Sequence, residues 1–169
     1  AIGNSEKFFK AFEDTIREEL NILTPPSAQN QSLLDQIASH NAVSLHVRRG
    51  DYVTNPMANA HHGTCDLDYY KAAIDYIAAH MHEAPIFYIF SDDIAWAKQN
   101  LKPRYETIFV DLNDEATNYE DLRLMSSCRH HIIANSSFSW WGAWLNRHAE
   151  KIIVAPKNWY ADPAARNPD

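Results

Sequence analysis

Two adjacent guanidinium side chains, Arg48 and Arg49, close the run AVSLHV in the stretch AVSLHVRRGDYV. Guanidinium is planar and presents parallel N–H donors, which suits a two-pronged grip on an anion such as phosphate. A salt bridge to Asp51 or to another acid is the structural alternative. Val43, Leu45 and Val47 make the preceding run read as a strand covered on both faces. Alternation places Ser44, His46 and Arg48 on one face, and Arg49 falls where the strand gives way to loop. Gly50 lets the chain turn sharply there. Open α/β sheets bind ligands outside the carboxyl ends of their strands, so the arginines mark an expected anion site.

Three further groups bear on chemistry. Asn135-Ser136-Ser137-Phe138 reads as a strand-to-helix turn, where unpaired backbone N–H groups can hold a phosphate. Ser136 and Ser137 add hydroxyl donors, and Ser137 also reads simply as an N-cap. Glu120 and Asp121 open a predicted helix, where acids complement the dipole. Asp92-Asp93 follows a predicted strand and is explained by capping of the next helix. The pairs His61-His62 and His130-His131 are adjacent, not four apart, and do not make a helical metal site.

These groups must be positioned by regular elements, and the periodicity supplies them. Phe8, Phe12, Ile16 and Leu20 predict an amphipathic helix over Ser5–Leu20. Thr24–Asn30 reads as a break, and Leu33, Leu34 and Ile37 as a short second helix ending near His40. The central strand is Ala42–Arg48, and Tyr52–Thr64 reads as a long loop over its end. Helix Asp66–Met81, strand Pro85–Phe90, helix Ile94–Asn100 and strand Thr107–Val110 follow. Helix Tyr119–Cys128, strand His131–Ala134, helix Phe138–Asn146 and strand Ile152–Ala155 complete the series. Trp140, Trp141 and Trp144 keep helical spacing and are expected in the core. Strand and helix alternate from Ala42 onward, which specifies the α/β class: a doubly wound parallel sheet of about five strands flanked by helices. Residues 1–41 fall outside that rhythm and read as a helical linker or a remnant of another domain; 42–161 form the sheet domain and 162–169 a frayed tail.

Composition narrows the partners. The chain has 169 residues, 46% hydrophobic and 22% charged, the mix of one globular domain. Its net charge of −7 argues against a nucleic-acid surface, so the arginine pair is a local exception. Cys65 and Cys128 have no motif spacing and read as reduced thiols. No apolar run approaches the roughly 20 residues of a membrane span, and no signal peptide opens the chain.

Three segments together resemble glycosyltransferase family 11, the α1,2-fucosyltransferases. They are HVRRGDYV at 46–53, YIFSDDIAWAKQNL at 88–101 and EDLRLMSSCRHHIIANSSFSWWGAWLN at 120–146. The resemblance implies a Rossmann-like fold, the donor-binding half of a GT-B-like enzyme. It implies transfer of L-fucose from GDP-fucose to a galactose 2-hydroxyl of a glycan, with inversion and without a metal or other cofactor. The family's N-terminal glycine-rich motif has no counterpart here, so the chain is expected to bind GDP weakly and turn over nothing. By the same resemblance Arg49 contacts the donor pyrophosphate, with Arg48, Ser136 and Ser137 shaping the pocket. His46 and Asp121 hold the nucleoside, Asp121 by accepting from guanine N1 and N2. Each also has a plain reading: a satisfied core histidine, and an acid placed for the dipole. Asp51 is the nearest candidate base, or merely fixes Arg49. Asp92-Asp93 resembles the metal-binding carboxylate pair of other glycosyltransferase folds, but an arginine at the pyrophosphate makes a metal unnecessary. The expected location is the cytoplasm of a bacterial type, with membrane association only through a longer parent. A different nucleotide sugar, or glycan binding through the tryptophans without catalysis, are the rival readings.

Overall fold

The computed structural model describes Lys10, Ala11, Asp14 and residues 25–49 and 65–157. Five strands form one sheet: β1 (Ala42–Val47), β2 (Ile86–Ser91), β3 (Thr107–Phe109), β4 (His130–Ile132) and β5 (Ile153–Val154). Every pairing is parallel, in the order β3-β2-β1-β4-β5. The helices are α1 (Ala28–Ser39), α2 (Leu67–His80), α3 (Ile94–Asn100), α4 (Asn118–Ser126) and α5 (Ser137–Trp144).

β1 is the middle strand and is buried at every position. It pairs with β2 along its whole length, from Ala42 opposite Ile86 to Val47 opposite Ser91, and with β4 from Val43 opposite His130. Its alternate side chains feed two cores. Val43, Leu45 and Val47 meet Phe87, Ile89, Ala97 of α3 and Tyr70, Ala73 and Ile77 of α2. On the other face Ile37 of α1, Tyr88, Phe90 and Leu124, Met125 and Cys128 pack together, with Phe138 of α5 at the margin. The chain steps outward from β1 to β3 and then returns to place β4 beside β1. α2 and α5, which follow neighbouring strands, therefore pack on opposite faces of the sheet, the arrangement that in open α/β folds puts ligands at the carboxyl ends of the strands.

Most element boundaries shift by one or two residues from the periodicity, and two differences have a clear cause. Ala28–Asn30 belong to α1, not to the break, because Ser27 caps the helix by accepting from the Asn30 backbone N–H. α1 is also part of the second core through Ile37, buried to 1% exposure. The N-cap of α5 is Ser136, so Ser137 is its first helical residue and not the cap. The tryptophans do not all enter the core: Trp140 and Trp144 stack at 5.2 Å and Trp144 is 38% exposed. Predicted helix Ser5–Leu20 and loop Tyr52–Thr64 lie outside the described residues, apart from helical Lys10, Ala11 and Asp14.

On the α5 face the sheet carries a buried polar chain. The Ser44 hydroxyl lies 2.7 Å from His131 Nδ1, and Asn146 Nδ2 lies 2.7 Å from His131 Nε2. The Asn146 amide is oriented by its other bonds: Nδ2 donates to the Cys128 carbonyl and Oδ1 accepts from the His148 backbone N–H. Since Nδ2 has only hydrogens to give, Nε2 must accept, and the proton of the neutral imidazole sits on Nδ1, donating to Ser44.

Candidate functional site

The carboxyl end of β1 is held by an acidic turn. β2 ends at Ser91, and Asp92 and Asp93 lead into α3. Asp93 caps α3 by accepting from the Trp96 backbone N–H at 3.2 Å. Asp92 Oδ1 accepts from the Arg49 backbone N–H at 2.8 Å, and its Oδ2 lies 3.6 Å from Arg48 Nε. Arg49 Nε is 3.9 Å from Asp93 Oδ2, too long for a hydrogen bond, and has no hydrogen-bond partner although buried. The Arg49 guanidinium carbon sits 3.8 Å over the Trp96 ring centroid. Both readings of the arginine pair are thus present in part: acids lie beside the cations, but the Arg49 contact is electrostatic and leaves Nε without a bond.

His46, three residues before Arg49, shares a face of β1 with Ser44 and packs against Phe138 with ring centroids 5.7 Å apart. This contact ties the end of β1 to the first turn of α5. The imidazole is 5% exposed, and its Nδ1 is buried with no hydrogen-bond partner. Burial holds its pKa down at about 4, with Arg48 adding to the effect and Asp92 opposing it. It is neutral at pH 7 and not a satisfied core histidine. Ser136, 7% exposed, stands at the cap of α5 without a side-chain capping bond, and Ser137 is exposed beside it.

Tyr70 is a third buried group with an orphan atom. It was legible from periodicity only as part of the apolar face of α2. Its ring is in the core, and its hydroxyl lies against the Cys65 thiol, a weak partner too loosely placed to satisfy it. Burial, then the neighbourhood of Cys65 and Tyr69, pushes its pKa up, with Asp92 adding to the rise. Cys65 Sγ in turn lies 3.7 Å from Asn135 Oδ1 in the β4–α5 turn. Among the described residues, the orphan buried atoms are His46 Nδ1, Arg49 Nε, Tyr70 Oη and Arg123 Nε. The first two belong to the carboxyl end of β1. Unpaired buried polar atoms cost roughly 1–3 kcal/mol each, so such a pair indicates where a polar ligand supplies the missing partners.

Asp121 lies on α4. Its carboxylate accepts from Asn113 Nδ2 at 2.8 Å, and Asn113 and Asn30 exchange two amide bonds of 2.9 Å. Asn30 also donates to Ser27 Oγ at 2.9 Å, so the cap of α1 fixes the network. Burial raises the Asp121 pKa to about 6, Asn113 lowers it and Glu120 raises it. Glu120 is spent on a buried ion pair with Arg123 at 3.0 Å. The structure thus sets Arg48 and Arg49 at the end of β1 beside the start of α3, ties His46 to the first turn of α5 through Phe138, and sets Asp121 on the helix that packs on α5. Asp51 lies outside the described residues. Trp96, Asn113 and Asn30 were missed: Trp96 stood inside a quoted motif without a role, and Asn30 inside an assumed break. Among the described residues no cluster of three or more His, Cys, Asp or Glu could hold a metal, and no helix is long and apolar enough to cross a membrane.

Comparison with known proteins places this geometry. Residues 2–169 match the family described as Glycosyl transferase family 11. The O-antigen biosynthesis glycosyltransferase WbnK of Escherichia coli is 46% identical over 125 residues, 72% of this chain and 40% of the relative. The alpha-1,2-colitosyltransferase of Escherichia coli is 38% identical over 92% of this chain and 53% of the relative. The human galactoside alpha-(1,2)-fucosyltransferase 1 is 31% identical over 82% of this chain and 40% of the relative. The chain therefore spans about half, or less, of the length of these curated relatives. A crystal structure of POFUT1 in complex with GDP superposes with a TM-score of 0.53 over 78% of this chain and 47% of that one, at 16% identity, which supports the Rossmann-like, GT-B-like fold. With a parallel sheet, an arginine pair at its central carboxyl end and a family match along almost its entire length, the chain belongs to glycosyl transferase family 11.

Proposed function

We propose that this chain is the donor-binding part of a glycosyltransferase that moves L-fucose from GDP-fucose to a galactose 2-hydroxyl of a glycan, with inversion and without a metal. The observation that carries the reading is that His46 Nδ1 and Arg49 Nε, both at the carboxyl end of β1, are buried without a hydrogen-bond partner. Arg49 faces the charge that accumulates on the β-phosphate as the sugar bond breaks. A donor aimed at developing charge typically contributes a factor of about 10²–10³ in kcat. Arg48, Ser136 and Ser137 shape the phosphate pocket, and neutral His46 offers Nδ1 to the nucleotide. Asp121, mostly ionised at pH 7, accepts from guanine N1 and N2, a pair of donors adenine lacks on that edge. The glycan acceptor is the second substrate.

A second reading differs in the sugar alone. The alpha-1,2-colitosyltransferase matches over 92% of this chain, which favours colitose as an alternative sugar to be transferred. Calorimetry with GDP and ADP on the wild type and Arg49→Ala tests the site. GDP should bind in preference to ADP, and the substitution should weaken GDP at least about tenfold, the loss of one charge-assisted bond. EDTA should leave the affinity unchanged. Equal binding of both nucleotides, indifferent to Arg49, rejects the reading. A screen of GDP-fucose, GDP-colitose, GDP-mannose and UDP sugars then separates the donors.

A further inference from the structure

The Arg49 side chain is not gripped by hydrogen bonds in the way a structural arginine is. Its backbone N–H is fixed by Asp92, its Nε is buried and unbonded, and Asp93 stands off at 3.9 Å. What locates the guanidinium is the Trp96 ring, 3.8 Å beneath its carbon. Trp96 is in turn held by position: its backbone N–H is the one that Asp93 caps, and Ala97 and Leu101 of the same helix segment are buried in the first core. A stack of this kind occupies the face of the guanidinium and leaves the in-plane N–H donors for another partner. A salt bridge of hydrogen-bonding length would instead have consumed those donors.

We infer that Trp96 is a positioning residue for the diphosphate contact: its indole carries Arg49 in the orientation that turns the guanidinium edge toward the ligand. The inference rests on the donor-site reading above. Asp93 is the counter-charge that keeps the cation in place without closing on it. The arrangement explains an aromatic side chain three residues after the capping acid, where an aliphatic one would pack the first core equally well.

The test uses the 169-residue chain and reads the affinity for GDP and for guanosine by calorimetry. Trp96→Leu and Trp96→Met keep apolar bulk and remove the ring; Trp96→Phe keeps a ring. Leu and Met should weaken GDP about tenfold, equivalent to ~1.4 kcal/mol. Phe should lose less than about threefold, and guanosine, which lacks phosphates, should bind all variants alike. In an Arg49→Ala background the Trp96→Leu loss should vanish, since nothing is left to orient. If Arg49→Ala weakens GDP but a folded Leu or Met variant does not, the role of Trp96 is refuted and the donor site stands. A Trp96→Leu loss that persists without Arg49, or that extends to guanosine, refutes it equally. If Arg49→Ala itself binds GDP like the wild type, the donor site falls and the inference with it.

Discussion

Acidification from pH 7 to pH 5 should cost this domain about 2 kcal/mol through His131 alone. His131 is fully buried, its Nδ1–H donates to Ser44 and its Nε2 accepts from Asn146. Burial, then the charge of Lys151, holds its pKa down at about 3 from an ordinary 6.5. A second proton would have to enter at Nε2, where an amide hydrogen already points. The folded state therefore stays neutral while the unfolded chain takes up a proton below pH 6.5. Stability is fully present above that value and is lost as pH falls toward the folded pKa, at about 1.4 kcal/mol per pH unit once the unfolded histidine is charged. Between pH 7 and pH 5 this integrates to ~2 kcal/mol. His46, held at about 4, acts in the same direction. Asp121, raised to about 6, acts in the opposite one, because its folded form keeps a proton that the unfolded form releases. These contributions cancel when two variants are compared at each pH. Urea unfolding of the wild type and His131→Gln at pH 7 and pH 5 isolates the term. The variant should be less stable at pH 7 by roughly 1–3 kcal/mol, the usual cost of disturbing a buried hydrogen-bonded group. The gap should narrow by about 2 kcal/mol at pH 5. A gap of constant size across that range would refute the neutral buried imidazole.

Asn113→Ala should remove the donor that keeps Asp121 ionised, so GDP affinity should fall several-fold, and further at pH 6.5 than at pH 8; calorimetry at the two pH values checks it. Gly142→Ala should destabilise the domain by roughly 1–2 kcal/mol in thermal unfolding, because the new Cβ would meet Met125 Cβ at 3.1 Å where α5 packs on α4.

The sheet could be read from the chain because its code is local. β-branched and aromatic runs alternate with helical stripes, and a parallel sheet follows from that order alone. Capping was partly readable for the same reason: Asp93 caps α3 as its place after a strand suggests. The site was readable where a motif concentrates it, as in Arg48 and Arg49. It was not readable where partners meet across long separations. Asn30 and Asn113 are 83 residues apart, and Ser44 and His131 are 87 apart, so neither bond leaves a trace in spacing. The tryptophans of α5 show the limit of periodicity: helical spacing fixes a common side of the helix, not whether that side is covered.

The place of β1 in the middle of the sheet has a consequence for synthesis. Ser44 leaves the ribosome 87 residues ahead of His131, the partner that completes its hydrogen bonding on one edge. At ~5–20 residues per second the nascent strand waits roughly 4–17 s with that edge open. During this interval α1 and β2 are its available shelter, and an apolar segment fit for pairing is on offer to any other chain. Slowing translation between α2 and β4 should therefore lower the yield of native protein more than an equal pause after β4.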